Sequence, residues 1–369
     1  MKIGVLTSSR ADFGIYLPLL KRLKNDPFFN LGLLVFGTHL SSVHGYTINH
    51  ITKEGFRIDY TLETVMLSDT PEAIAKNMAQ TGMKFSAIWE SARKNYDVIF
   101  CLGDRYEMFA AVSVSVPFEI TIAHLHGGET TLGAIDNKFR HCLTHFATMH
   151  FASTYNHAKR VETLIGSPEN IYNTGALSLD NINDLKLIDA EEMLNHFGID
   201  FSIPTLLVTY HPETAGEGVK ETGGVNMVEA LKFFDEHQVV ITMPNADTSA
   251  GELRTLYQEF SQTFSSVKLI ENFGTQGYFS AMKLSKLVIG NSSSGIIEAA
   301  SFNKYVINIG YRQGGRAVSD NVINTSNSRE DIKEGINKGL SLGEYKGINI
   351  YNNGGAVNKI IEVLKSWQK

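Results

Sequence analysis

The sequence predicts an α/β chain made of two doubly wound, mostly parallel sheet domains with a ligand cleft between them. Three observations carry this expectation. Short apolar, β-branched runs alternate with longer helical ones, the rhythm of parallel sheets. The rhythm breaks over residues 177–203, a polar stretch with one short helical segment near Ala190–Phe197, and then restarts. Acids, imidazoles, arginines and serines cluster just after the candidate strands, where open α/β sheets bind ligands. The 369-residue length also suits two domains. The expected boundaries are 1–180 and 181–352, with residues 353–369 as a last helix returning to the first domain.

In the first half, strands are expected at 2–7, 31–36, 98–102, 120–124 and 150–152, with helices between them, for example at 16–24 and 70–94. The broken segment 177–203 reads as a hinge. In the second half, strands are expected at 205–209, 239–242, 268–270, 287–289 and 305–309. Helices are expected at 225–236, after the breaker pair Gly223-Gly224, and at 251–264. The run 354–367 completes the pattern as a helix.

Bulk properties narrow the function. A formal net charge of -6 argues against a nucleic-acid surface or a polybasic membrane patch. The two cysteines are too few for a disulfide framework or a thiolate metal site, and both read as buried thiols. No apolar run approaches the ~20 residues that span a bilayer. The start Met1-Lys2-Ile3-Gly4 does not read as a signal peptide, so a cytoplasmic protein is expected.

The most informative stretch is His124-Leu125-His126-Gly127-Gly128-Glu129, followed by Asp136 and Arg140-His141. Gly127-Gly128 breaks a buried strand, and Asp136 and Arg140 then fall on one face of a helix. Six of the twelve histidines lie between His124 and His157. So many titratable groups at a strand end suggest proton transfer. His124 and His126 alternate along the strand and so share a face; His141 and His145 lie four apart. Neither pair forms a metal-binding pattern, and no metal is expected. Asp104, after Cys101-Leu102-Gly103, is either a catalytic acid or base or a cap for the next helix.

The first strand opens into Ser8-Ser9-Arg10-Ala11-Asp12 without a GxGxxG, so no nicotinamide cofactor is expected. Arg10 either meets a phosphate or pairs with Asp12 or Asp104. In the second half His211 leaves a strand end, and Pro244-Asn245-Ala246-Asp247 leaves another. The run Gly290-Asn291-Ser292-Ser293-Ser294-Gly295 carries a strand into a helix. Backbone N–H groups and serine hydroxyls there suit an anion, and Glu298, placed in the first helical turn, suits ribose hydroxyls. Arg312 and Arg316 follow the next strand.

Taken together, these residues resemble the UDP-N-acetylglucosamine 2-epimerases, specifically the hydrolysing branch used in sialic-acid biosynthesis. The resemblance covers essentially the whole chain. It rests on Ser9-Arg10-Ala11-Asp12, Gly103-Asp104-Arg105, His126-Gly127-Gly128-Glu129, Asp136 with Arg140-His141, His211-Pro212, Pro244-Asn245-Ala246-Asp247, Gly290-Asn291-Ser292-Ser293, Glu298, and Arg312-Gln313 with Arg316. It implies the GT-B fold, with two Rossmann-like domains and a UDP-sugar between them. It implies elimination of UDP with loss of the C2 proton to give a 2-acetamidoglucal, then hydration to N-acetylmannosamine. Arg10, Ser292, Ser293, Ser294 and Arg316 would hold the diphosphate and Glu298 the ribose, with Asn245 near the nucleotide. Asp104, Asp136 and His211 would surround the sugar, and Arg140 would orient Asp136 or the sugar. Many members carry a glutamate where this chain has His126, so the base is open between these groups. The loop 271–279 is the expected uracil pocket, with Phe273 as stacking partner. No cofactor is implied, and a homodimer or homotetramer is.

The leading substrate on the sequence is UDP-N-acetylglucosamine. A close variant is UDP-2,4-diacetamido-2,4,6-trideoxyglucose, on the route to legionaminic acid. A non-hydrolysing epimerase is a further variant, and a glycosyltransferase of the same fold is the competitor from another reaction class. A non-catalytic nucleotide-sugar sensor would leave the buried ionisable groups without a use.

Overall fold

The computed structural model describes residues 1–43, 45–64, 70–132, 135–212, 222–244 and 251–367, with backbone alone at 183–184. In chain order its elements are β1 (Lys2–Thr7), α1 (Arg10–Asn25), β2 (Asn30–Phe36), α2 (Ile48–Lys53), β3 (Ile58–Leu62), α3 (Pro71–Asn95), β4 (Val98–Leu102), α4 (Tyr106–Ser113), β5 (Ile122–Leu125), α5 (Asp136–Phe146), β6 (Met149–Ala152), α6 (Tyr155–Ile165), β7 (Ile171–Asn173) and α7 (Ser178–Asp184). They continue as α8 (Ala190–Phe197), β8 (Thr205–Thr209), α9 (Gly223–Leu231), β9 (Gln238–Thr242), α10 (Gly251–Thr263), β10 (Val267–Ile270), α11 (Gly274–Leu284), β11 (Leu287–Gly290), α12 (Ser293–Ile297), β12 (Val306–Ile309), β13 (Val322–Thr325), α13 (Arg329–Leu342) and α14 (Ala356–Ser366). The chain divides into two compact units, Met1–Asn181 with Tyr351–Lys369, and Ile182–Ile350.

The first unit is a seven-stranded sheet in the order β3-β2-β1-β4-β5-β6-β7, with every pair parallel. Alternate side chains feed two cores, as the period of two requires. Val5, Leu33 and Val35 enter one core with Phe100 and Phe151, whose rings stack. Leu6, Leu34 and Phe36 enter the other with Trp89. Each such fully buried side chain contributes roughly 1.5–3 kcal/mol. The last helix, α14, joins the first core through Ile360, Ile361 and Leu364. Its entry is held by Asp180, whose carboxylate accepts from the amides of Ala356 (3.2 Å) and Val357 (2.5 Å).

The second unit repeats the plan with six parallel strands, β10-β9-β8-β11-β12-β13. Leu206 and Val208 enter one core and Leu207 the other. In each sheet the strand order reverses beside the first strand, β1 or β8, so neighbouring βα turns diverge there and leave a concavity at the strand C-termini.

Several expectations need correction. The edge strands β3, β7 and β13 are additional, and the segment 177–203 carries two helices, α7 and α8. α7 forms within a polar run because Leu179 on the helix and Leu177 just before it are buried. The helix expected to run to 236 ends at Leu231. Among the described residues no helix is long and apolar enough to cross a membrane.

Candidate functional site

In the first unit, the candidate side chains leave the C-terminal ends of neighbouring strands β1, β4, β5 and β6. At the end of β1 the N-cap Ser9 and Asp12 form a capping box. Buried Asp12 also accepts from the Thr7 hydroxyl (2.8 Å) and from the amide (2.8 Å) and hydroxyl (2.9 Å) of Ser8. The Thr7 hydroxyl meets His39 Nε2 at 2.9 Å. This turn presents Arg10 to solvent, while Asp12 is committed to its own turn. Asp12 stays below the usual carboxylate range: burial opposes this, but His39 and the Ser8 amide outweigh it.

At the end of β4, Gly103 adopts a left-handed φ of 74° and Asp104 follows it. The helix cap is Arg105, so Asp104 is released from the capping role. Its carboxylate accepts from Arg140 Nη2. Arg140 is only 3% exposed and also donates to Glu129 Oε2 at 3.1 Å. Arg140 therefore clamps Asp104 and Glu129 and makes no hydrogen bond to Asp136, one of its two expected partners, the other being the sugar. A guanidinium is a rigid fork of donors, which is why one Arg bridges two carboxylates.

β5 ends at Leu125, one residue later than expected, and His126 then takes a left-handed φ of 64°. A non-glycine residue in that region is strained and typical of functional turns. The change of direction also ends the shared strand face expected for His124 and His126. His124 is wholly buried and its Nε2 contacts the Gly103 carbonyl at 2.9 Å, so it braces the Asp104 turn. Burial depresses its pKa to about 3, leaving it neutral. His126 Nδ1 meets Glu129 Oε1 at 2.9 Å, and the Ser153 hydroxyl donates to the same oxygen at 2.7 Å. Ser153 in turn contacts His157 Nδ1 at 2.9 Å. Gly128 makes this turn possible, since a Cβ there would lie 2.3 Å from the His157 carbonyl.

Asp136 opens α5. Burial, reinforced by the Asp104 carboxylate, raises its pKa above the ordinary value. Two nearby acids in different settings can divide acid and base roles. Among the described residues no group of acids, histidines and cysteines is arranged to hold a metal ion.

In the second unit the organising residue is Asn291, fully buried at the end of β11. Its side chain exchanges two hydrogen bonds with the backbone of His211, both 2.8 Å. Its carbonyl accepts from Arg312 Nη1 (3.0 Å) and Gln313 Nε2 (2.7 Å). Asn291 thus ties together the turns after β8, β11 and β12. Gly290 before it is obligatory, because a Cβ there would sit 2.0 Å from the Thr209 carbonyl.

Ser292 caps α12, and Ser293 begins that helix. The Ser294 hydroxyl is taken up by Tyr278 (2.7 Å) and Ser292 (3.0 Å). Glu298 lies at the C-cap of α12, past its last turn instead of in its first, because the helix spans only Ser293–Ile297. Glu298 is 6% exposed. Phe273 is also corrected. Its ring lies in the core, edge-on to Phe197 at 4.9 Å, so it has no open face for stacking a base. Arg316 is half-buried in the turn after β12. Asn245 lies outside the described residues.

The sequence signature of the family described as UDP-N-acetylglucosamine 2-epimerase matches residues 21–365. The chain belongs to that family. It is 31% identical, over 99% of this chain and 96% of the relative, to "UDP-N,N'-diacetylbacillosamine 2-epimerase (hydrolyzing)" of Legionella pneumophila. It is 32% identical, over 88% and 84%, to a GDP/UDP-N,N'-diacetylbacillosamine 2-epimerase (hydrolyzing) of Campylobacter jejuni. It is also 32% identical, over 91% and 85%, to polysialic acid biosynthesis protein P7 of Escherichia coli. The crystal structure of a Neisseria meningitidis UDP-GlcNAc 2-epimerase matches with a TM-score of 0.81 at 17% identity, covering all of both chains. The architecture is therefore the GT-B-like fold of this family, with two Rossmann-like α/β units.

The parts played by Glu129, Ser153, His157 and Asn291 are not legible from local sequence. Glu129 and Asn291 stood inside quoted motifs, but their roles depend on contacts 11 to 80 residues away.

Proposed function

We propose that this chain is a hydrolysing 2-epimerase acting on a UDP-linked 2-acetamido sugar, with UDP-2,4-diacetamido-2,4,6-trideoxyglucose as the favoured substrate. The observation that carries the reaction class is the Asp104–Arg140–Glu129–His126 cluster, buried at Arg140 and Glu129, beside Asp136. Burying Glu129 and Arg140, with the half-buried Asp104, Asp136 and His126 gathered beside them, is costly unless chemistry uses it. Two relatives named for N,N'-diacetylbacillosamine support the substrate. UDP-N-acetylglucosamine is kept as the second reading because of the polysialic-acid relative.

In this reading the first unit moves protons. The C2–H bond breaks toward a base among Asp104, His126 and Asp136. Its electron pair becomes the C1–C2 double bond, and the C1–O pair leaves with the diphosphate. Asp136, with its raised pKa, is the group best suited to hold a proton for the hydration step that follows. Arg10, Ser292, Ser293 and Arg316 bind the diphosphate, stabilising the leaving charge, and Glu298 binds the ribose. His211 contributes from the turn pinned by Asn291.

The test is UDP release and UDP binding measured side by side with both sugar nucleotides. Release is expected with one or both in the wild type. Asp104→Asn, Asp136→Asn and His211→Ala are expected to cut turnover ~10²-fold or more with UDP affinity kept. Glu298→Ala is expected to weaken UDP binding. Equal loss of UDP binding and turnover in the acid variants would contradict the assignment.

A further inference from the structure

We infer that Glu129 is a positioning residue that fixes His126 as the Nδ1–H tautomer and so makes Nε2 a proton acceptor in the reaction; this rests on the epimerase reading. The argument is one of donors and acceptors. Arg140 and Ser153 both donate to Glu129, Arg140 to Oε2 and Ser153 to Oε1. A carboxylate so placed has only acceptor capacity left for the His126 Nδ1 that sits 2.9 Å from Oε1. Nδ1 must therefore carry the proton, and the lone pair falls to Nε2. Nε2 is shielded from solvent and has no hydrogen-bond partner among the described residues. A buried acceptor left in that state is costly, and a ligand proton would satisfy it.

The local backbone serves the same contact. The left-handed turn at His126 and the obligatory Gly128 bend the chain so that Glu129 reaches back three residues. The far side is fixed too. Ser153 spends its only proton on Glu129, so it must accept from His157, which is then Nδ1–H. When Nε2 takes a proton, the imidazolium so formed faces the Glu129 carboxylate, which stabilises its charge as a counter-ion.

Glu129→Gln gives an asymmetric test. An amide offers one oxygen, and Arg140, which can only donate, claims it. The NH2 group then faces His126 and requires Nδ1 as acceptor, moving the proton to Nε2. The experiment is ring-nitrogen NMR of the full-length, ¹⁵N-histidine-labelled protein at pH 8, with His126 assigned by its loss in His126→Asn. The expected result is Nδ1–H in the wild type and Nε2–H in Glu129→Gln. The same variant should lose about 10²-fold in kcat with KM within roughly threefold. Nε2–H in the wild type overturns the inference without any variant. An unchanged tautomer in Glu129→Gln, or an inverted tautomer with unchanged kcat, also overturns it. Absence of activity on any UDP-sugar would sink the epimerase reading, whereas the tautomer result would stand.

Discussion

In the first unit the residues at the strand ends are charged and cross-linked, with Arg140 between Asp104 and Glu129 and His126 on the far side of Glu129. In the second unit the corresponding turns are joined by a neutral amide, Asn291, whose backbone carbonyl also accepts from Arg312, and by a cluster of hydroxyls at Thr209, Tyr278, Ser292 and Ser294, with no carboxylate in these bonds. The same doubly wound plan thus offers two kinds of site. Charged, coupled groups suit a reaction in which protons move and pKa values must differ. Neutral donors and acceptors hold a turn in shape whatever the pH, which suits binding.

The contrast can be broken by substitution. The largest effect is expected from Arg140→Leu, which strands the buried Glu129 carboxylate and the half-buried Asp104 and should cost roughly 3 kcal/mol. Hydrogen exchange of first-unit core amides such as Val5 and Phe100 would report it, with second-unit amides such as Val208 little changed. A loss below about 1 kcal/mol would mean the carboxylates find water.

Next comes acid sensitivity. His124 is neutral in the fold, with a pKa of about 3 against 6.5 as the ordinary value, and His150 lies at about 4. Unfolding therefore takes up protons below pH ~6.5, so stability is lost as pH falls from there toward the folded values. The slope is up to about 1.4 kcal/mol per pH unit for each histidine. His124→Gln should flatten the acid limb of a urea-unfolding series by one proton, and an unchanged slope would remove His124 from this account.

Asn291→Ala should cost about 1–3 kcal/mol, since it removes both side-chain hydrogen bonds to the His211 backbone. The His211 amide should exchange faster while first-unit protection holds. The smallest effect is expected from Asp136→Asn on stability. A carboxyl whose folded pKa is raised favours folding at low pH and loses that benefit as pH rises through the folded value. The variant should therefore gain thermal stability relative to wild type at pH 7 compared with pH 4, even as turnover falls.

Much of this was legible in the sequence. The central strands are continuous apolar runs, as strands buried on both faces must be, and helices such as α3 and α10 announce themselves by period, whereas α11 (Gly274–Leu284) covers residues expected to be a loop over 271–279. The strands that escaped, β3, β7 and β13, are sheet edges, and their exposed faces admit Asp59, Asn173 and Asn324, which dilute the pattern. The site followed the same division. That Asp104 and His126 follow strands and that Asp136 and Arg140 share a helix was visible because strand ends and helical spacing are local. Which carboxylate Arg140 holds was not, because Asp104 is 36 residues away and the choice is made by tertiary contact. Phe273 misled because an aromatic in a loop looks available until the packing of Phe197 over it is seen.

The most direct test of the central claim is proton NMR of the purified protein in deuterated water with each of the two UDP-sugars in turn. The account predicts free UDP together with a 2-epimerised free sugar carrying deuterium at C2, with the diacetamido-trideoxy substrate turned over faster than UDP-N-acetylglucosamine. A free sugar that keeps its C2 proton, or a UDP-sugar epimer in equilibrium with substrate, would contradict it.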